Sequence, residues 1–446
     1  MPSVWLGTFR NGISFFAESD RNWINSKKSD CIELIRRNGK IVLRINFVAK
    51  SATLKGKRNI EFGFVATPLK KRPVGAEQNF KWGTSFARTF FNKGLIAIDP
   101  FITNMMLNPE RENSYVAYTA GQEYIDGDPE FQKFAVELDK EYKSTFNPWE
   151  VELMPYRTGG MNYADYISRN VVWNSYRVDF MVWRLNQLLR DTGVDGIYQD
   201  NSYATFSLNQ LLNDQTFVRE DGKLQGIYHF LAQREYLKRC AVLAYKYNKR
   251  YPRVILHNTG AMMPAAFAFV DGFMDGEVTV KRYYDAFPMP WNEIMLGVDW
   301  GMVPGRLTML RQTEKNQNRA LFSIFKLYDM RFWITHNGFD NILYSKVRKA
   351  ENSFGIGNKG TEFFGYWDEK NPVSFTGKTN LLASCFKRQD GALLIYVSNT
   401  TRQTASGTLK FNQKMKLSNA LDGSEIKFPL TLPGEDFISI LAIPQK

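Results

Sequence analysis

Short apolar runs broken by turn residues occupy both ends of the chain, whereas its middle alternates apolar runs with longer stretches of helical spacing. Residues 5–9, 13–17, 31–35, 40–48 and 59–67 read as strands of a sandwich. Asn11-Gly12 and Asn38-Gly39 predict hairpins, because a tight two-residue turn asks for positive φ at both central positions. Pro68, Pro73 and the basic Lys70-Lys71-Arg72 read as a linker.

Beyond that point the period changes. Residues 93–100 and 149–156 are apolar runs with a possible helix over 128–145 between them. Val178, Val182, Leu185 and Leu189 predict a helix over 175–190 that ends near Gly193, and a short apolar strand then runs into Asp200. A helix over 227–249 precedes a strand at 253–258, and further strands are expected at 269–277, 293–297 and 331–334, with a helix over 312–328. This rhythm fits a (β/α)8 TIM barrel, with a doubly wound sheet as the alternative. From about 372 the pattern is again β, with strands at 380–386, 392–398, 404–411, 426–432 and 437–443. The expected organisation is multidomain: residues 1–72 an N-terminal β-sandwich portion, 73–371 the catalytic barrel, and 372–446 a C-terminal β-domain of sandwich type.

Composition narrows the partners. The chain has 446 residues, 44% hydrophobic and 15% aromatic, which describes folded domains with surplus aromatic surface. No apolar run is long enough to span a membrane. The first residues show no secretion signal, which leaves a cytoplasmic location open; the function expected below favours a secreted or periplasmic one. Cys31, Cys240 and Cys385 stand far apart, with neither a disulfide framework nor metal-ligand spacing. Lys plus Arg number 58 against 45 Asp plus Glu, a net charge of +13. The basic residues are scattered and no nucleic-acid-binding signature is present, so nucleic acid is not an expected partner. If the charge is functional, an anionic carbohydrate is a candidate partner; a merely solvated basic surface is the alternative.

Ligand chemistry in barrels and parallel sheets collects at the carboxyl ends of strands, which makes Asp200 the first catalytic candidate, against the plainer reading of a helix cap or Asx-turn. Asp275 and Glu277 follow an apolar strand two positions on in the barrel, with Gly272 and Gly276 permitting tight turns. Two opposed carboxylates are the minimum for glycoside hydrolysis, one attacking C1 or activating water and the other protonating the departing oxygen. Asp200 is assigned as nucleophile and Asp275, slightly ahead of Glu277, as acid, with retention the favoured outcome; the plainer reading of the second pair is capping or a salt bridge to Lys281 or Arg282. Substrate-binding candidates at other strand ends are Asp99, Tyr156, Arg157, Asn201, His257 and Asn258, while Tyr283, Tyr284, Trp291 and Trp300 could stack on sugar rings or simply pack. Asp99, His257 and Asp275 could instead hold a divalent cation, but no compact ligand motif exists, and neither a metal nor a cofactor is expected. Phosphate-binding loops and a nucleophile elbow are absent from the sequence. Asn399-Thr400-Thr401 is a glycosylation sequon, usable only on a eukaryotic secretory route.

The segments Ser14-Phe15-Phe16-Ala17-Glu18-Ser19-Asp20-Arg21-Asn22-Trp23, Glu61-Phe62-Gly63-Phe64-Val65-Ala66-Thr67-Pro68 and Gly196-Ile197-Tyr198-Gln199-Asp200-Asn201 resemble pieces of a broad group of proteins related to glycoside hydrolase family 123. The resemblance spans nearly the whole chain and implies a β-sandwich, a catalytic barrel and a small β-domain in that order, with this chain beginning late within the sandwich. It also implies, for that family's β-N-acetylgalactosaminidases, an adjacent Asp-Glu pair in a substrate-assisted mechanism. Here Asp200 is followed by Asn201, and the adjacent Asp368-Glu369 falls outside the barrel strands, which argues against that specificity. Asp200 with Asp275 or Glu277 is similar instead to the carboxylate layout of the α-galactosidase clan. Together these readings favour a hydrolase of oligo- or polysaccharides, with a non-catalytic carbohydrate-binding protein as the alternative; a sugar lyase or isomerase is a third reading.

Overall fold

The computed structural model describes residues 3–8, 11–28, 30–72, 86–88, 90–92, 95–97, 116–120, 123–125, 168–170, 173–200, 202, 206, 208, 210, 216–219, 222–247, 253–258, 262–280, 282–294, 300–310, 317–334 and 340–445. Asp99, Tyr156, Arg157 and Asn201, the helix expected over 128–145, the run at 149–156 and residues 295–297 lie outside them.

Near the N-terminus, Ser3–Gly7, Gly12–Phe16 and Gly63–Thr67 form an antiparallel sheet, and Ile32–Arg37 pairs with Lys40–Ile45. The second hairpin closes on Asn38 (φ 52°) and Gly39 (φ 71°), with Arg37 opposite Lys40. Both turn residues are left-handed, which matches the twist of the flanking strands and explains the Asn-Gly choice.

The centre is a seven-stranded parallel sheet in the order Phe86–Arg88, Val116–Ala120, Gly196–Asp200, Val254–His257, Gly272–Val280, Val303–Leu310, Arg331–Ile334. Neighbours in the sheet are neighbours in the chain, and every pairing among these strands is parallel. A doubly wound sheet would show a reversal of order, and these strands show none.

One face of the sheet is covered by the helices Ser175–Thr192 and Phe230–Tyr247. Val178, Val182, Leu185 and Leu189 of the first, and Leu237 of the second, form one buried cluster with Ile197, Val254, Leu256 and Phe273 of the strands. Each such side chain contributes roughly 1.5–3 kcal/mol by leaving water. Tyr198, Ile255 and Met274 are also buried, but alternate with those residues and so turn to the opposite face.

Two expectations change here. Val303–Leu310 is a strand that the sequence pattern did not suggest, because Pro304 and Gly305 read as a break. Glu293 and Ile294, expected in a strand, end the helix Met289–Ile294 instead. That helix starts favourably: Pro290 sits in its first turn, and the Pro288 carbonyl accepts from the backbone N–H groups of Trp291 and Asn292.

The expected linker is bound to the entry edge of the sheet. Lys70 Nζ lies 3.2 Å from Asp271, just before the Gly272 strand, and Arg72 Nη1 lies 2.8 Å from Asp329, just before the Arg331 strand. Gly301 (φ +67°) lets the chain approach so closely that a Cβ there would sit 1.9 Å from the Lys70 carbonyl oxygen.

At the C-terminus, five- and three-stranded antiparallel sheets enclose a core of Leu381, Ala383, Cys385, Ile395, Val397, Leu409 and Ile440. Glu362–Phe364, Val373–Thr376 and Met415–Asn419 add strands to those expected. A second core joins this region to the helices Gln317–Leu327 and Asn341–Phe354, through Phe322, Phe325, Val347, Leu394, Tyr396 and Phe437. Lys326 and Glu351 form an ion pair inside it, with Tyr396 Oη donating to the same carboxylate at 3.1 Å. Asn399 is fully buried, its amide donating to the carbonyls of Gln403, Leu432 and Pro433, so the folded chain does not present the sequon at its surface.

Candidate active site

The Asp200 strand is placed by its flanks. Asn174 caps the preceding helix by accepting from the Arg177 backbone N–H at 2.8 Å, and Gly193 ends it in the left-handed region. Gly196 then passes so close to the next strand that a Cβ would lie 1.9 Å from the Arg253 carbonyl oxygen. A larger residue there would push the strands apart and move Asp200 with them.

At the carboxyl end, Asp200 Oδ1 lies 2.7 Å from His257 Nδ1 on the adjacent strand. With Asp200 ionised, Nδ1 carries the proton and donates, fixing both the ring and one carboxylate oxygen. The histidine is 1% exposed and the Asp200 side chain 16%, so the carboxylate reaches the surface and its partner does not. Tyr198, two residues before Asp200 and on the same face, stacks on His257 with ring centroids 6.2 Å apart. Asn258 follows, 4% exposed, with its amide oxygen and nitrogen both lacking a hydrogen-bond partner among the described residues. A buried unsatisfied amide costs roughly 1–3 kcal/mol, and a buried water is a common way of meeting it.

Asp275 is placed differently. Leu256 aligns with Phe273 and His257 with Met274, so Asp275 is out of step with His257 by one residue. A shift of one residue reverses the face of a strand. Asp275 therefore turns toward the side on which Phe273 meets the helices, and its contacts agree: Oδ2 accepts from Arg306 Nη2 at 2.8 Å and from Trp291 Nε1 at 3.0 Å. Arg306 is wholly buried, donates to Asn292 Oδ1 at 2.8 Å and to the Tyr283 hydroxyl, and lies 4.1 Å over the Phe287 ring. Burial also pushes the Tyr283 phenol above its ordinary range, leaving a neutral hydroxyl beside the guanidinium.

The structure thus brings together Asp200 and His257; Asn258, one residue past His257, is out of step with their face, as Asp275 is. Glu277 occupies the register break between Gly276 and Val278, a bulge in the backbone pairing. Of the aromatic candidates, Trp291 is 41% exposed while its indole N–H holds Asp275. Tyr283 is buried in the Arg306 cluster, and Tyr284 is half-buried with its hydroxyl 2.7 Å from Ser323. Trp300 is 1% exposed, packs on Trp5 at 5.1 Å, and precedes the entry end of its strand, so it belongs to packing. Arg306 and Asn292 escaped the sequence reading. Arg306 lies on the strand hidden by Pro304, and a lone Asn in a short helix carries no signal. No group of metal-binding side chains occurs among the described residues.

No protein-family model and no curated protein matches the chain. Among solved structures it is similar to a noncanonic maltogenic α-amylase from Thermotoga neapolitana (10% identity, 84% of this chain and 88% of that one, TM-score 0.42). It is also similar to a GH27 β-L-arabinopyranosidase from Geobacillus stearothermophilus (11% identity, 74% of each chain, TM-score 0.43) and to a maltogenic amylase from S. marinus (13% identity, 78% of this chain and 55% of that one, TM-score 0.46). These are glycoside hydrolases of other kinds than family 123. The chemistry proposed below rests on this chain's own residues.

Proposed function

We propose that this protein is a glycoside hydrolase acting on an oligo- or polysaccharide, with a (β/α)8 barrel as its catalytic body and β-domains on either side. The observation that carries the reading is the Asp200–His257 pair at the carboxyl end of adjacent parallel strands, beside the buried and unsatisfied Asn258. Asp200 attacks the anomeric carbon or orients the attacking water. His257 is a positioning residue that holds one carboxylate oxygen, and Asn258 meets a sugar hydroxyl. Glu277, at the bulge two strands away, is the proton donor to the departing oxygen, and the arginine-bound Asp275 supports the strand that carries it.

The test uses folded Asp200→Asn, Glu277→Gln and Asp275→Asn proteins on a glycan panel and on aryl glycosides. Loss of cleavage is expected for the first. For Glu277→Gln, loss on glycans with recovery on an aryl glycoside of low leaving-group pKa is expected, because such a group departs without a proton. Full activity in Asp200→Asn would end the reading. The engagement of Asp275 with Arg306 favours a rival, a carbohydrate-binding protein without catalysis; tight glycan binding with no cleavage on prolonged incubation would select it. Retention, which we favour, would appear as initial formation of the substrate's own anomer by NMR.

A further inference from the structure

The N-terminal β-region does more than flank the sheet. A cleft of about 1110 Å³ lies between its loops and the short hairpin Thr216–Val218/Leu224–Gly226. Six exposed cations line it: Arg21, Lys27, Lys28, Lys50, Lys55 and Lys57. None of them makes an ion pair among the described residues. Asp20, the acidic residue of the lining, is already engaged, its Oδ2 accepting from Asn25 at 2.5 Å. Six cations against one carboxylate repel one another on balance, and the arrangement is relieved by an anion in the cleft. In the lining, Trp23 is 7% exposed, and its indole N–H is buried without an acceptor among the described residues.

We infer that this cleft binds a stretch of an anionic polysaccharide, bearing sulfate or carboxylate groups, and delivers it to the Asp200 end of the sheet; the second half of this statement rests on the function proposed above. The size exceeds the roughly 300–1,000 Å³ of small-ligand pockets and suits several sugar units. The position follows from the chain: the hairpin belongs to the connection that leaves the carboxyl end of the Asp200 strand. That connection is tied to the N-terminal region at Glu18, whose carbonyl accepts from Tyr228 N at 2.8 Å and whose carboxylate accepts from Leu231 N at 2.7 Å. Nucleic acid fits less well, because stacking platforms need exposed ring faces and Trp23, at 7% exposure, offers none.

The experiment measures binding of the full chain carrying Asp200→Asn to dextran sulfate, polygalacturonate, neutral dextran and single-stranded DNA. A second protein adds Lys27→Ser, Lys28→Ser, Lys55→Ser and Lys57→Ser, all at exposed positions. The expected result is binding to one or both acidic glycans, which tells sulfate from carboxylate recognition, with none to neutral dextran. It should weaken about tenfold or more in the lysine variant and fall steeply with added NaCl in the parent. Absence of binding to both acidic glycans, equal binding by the lysine variant, or equally tight binding of DNA would each overturn the inference. Because the readout is binding by a protein without Asp200, a wrong catalytic assignment leaves it intact. Conversely, glycan cleavage by the wild type with no effect of the lysine substitutions would sink the cleft alone.

Discussion

Asp200 and Asp275 are the same side chain near the carboxyl ends of strands in one parallel sheet, with a single strand between them. Their surroundings have little in common. Asp200 faces a histidine, reaches solvent, and stands on the face opposite the helices. Asp275 is 6% exposed, faces a guanidinium with no exposure at all, and shares its accepting oxygen with an indole N–H. The first environment holds a carboxylate in place while leaving it approachable; the second consumes it. What separates them is one residue of register between Asp200, His257 and Met274 on one side and Asp275 on the other.

The largest effect that would break this contrast is catalytic. Asp200→Asn keeps the shape and removes the charge, and kcat is expected to fall by about 10³-fold or more with little change in melting temperature. Asp275→Asn should do the reverse. It leaves Arg306 buried without its counter-charge, at a cost of roughly 3–5 kcal/mol, while kcat per folded molecule stays within a few-fold. Denaturant melts alongside initial rates read both. The double variant Asp275→Leu/Arg306→Met, which removes both charges, should recover much of the lost stability, and its failure to do so would mean the pair is worth more than its own desolvation.

The contrast also shows what the sequence carried. The Asp200 strand was legible because a helix with Val178, Val182, Leu185 and Leu189, a left-handed Gly193 and a short apolar run leave little alternative. The Asn38-Gly39 hairpin was legible for a similarly local reason. The face of Asp275 was not, because register is a property of two strands and neither sequence states it. The bulge at Glu277 was equally hidden, and so was Arg306, whose strand contains a proline against the usual rule. Lys70 and Arg72 read as a linker because their partners, Asp271 and Asp329, are about 200 and 257 positions away.

A third carboxylate calibrates the structural side of the comparison. Burial alone would raise the Glu351 pKa, but Lys326, Arg331 and Arg348 outweigh it and hold the carboxyl down to about 2. A folded-state pKa below the ordinary value of about 4.3 means that the stabilisation is complete above the unfolded pKa and drains away as pH falls from about 5 toward 2. Glu351→Gln should cost about 3 kcal/mol at neutral pH by leaving Lys326 without its partner charge. The gap to wild type should shrink as the pH falls toward 2; a gap as large at pH 3 as at pH 7 would show that packing and not charge is lost.

The smallest expected effect is the one that tests whether the strand end next to His257 is built for a ligand. Asn258 has the branching of leucine in a smaller volume, is 4% exposed, and satisfies neither end of its amide among the described residues. In a site that served stability alone, an apolar residue there would be neutral or better. Asn258→Leu should therefore leave stability within about 1 kcal/mol of the wild type, the removed desolvation cost offsetting the extra volume that the buried site must take in. If the amide exists to meet substrate, the same change should raise KM by about tenfold and move kcat far less, because a hydroxyl contact made in ground and transition states alike is uniform binding. An unchanged KM would assign Asn258 to a buried water instead, and would narrow the candidate site to Asp200 and His257.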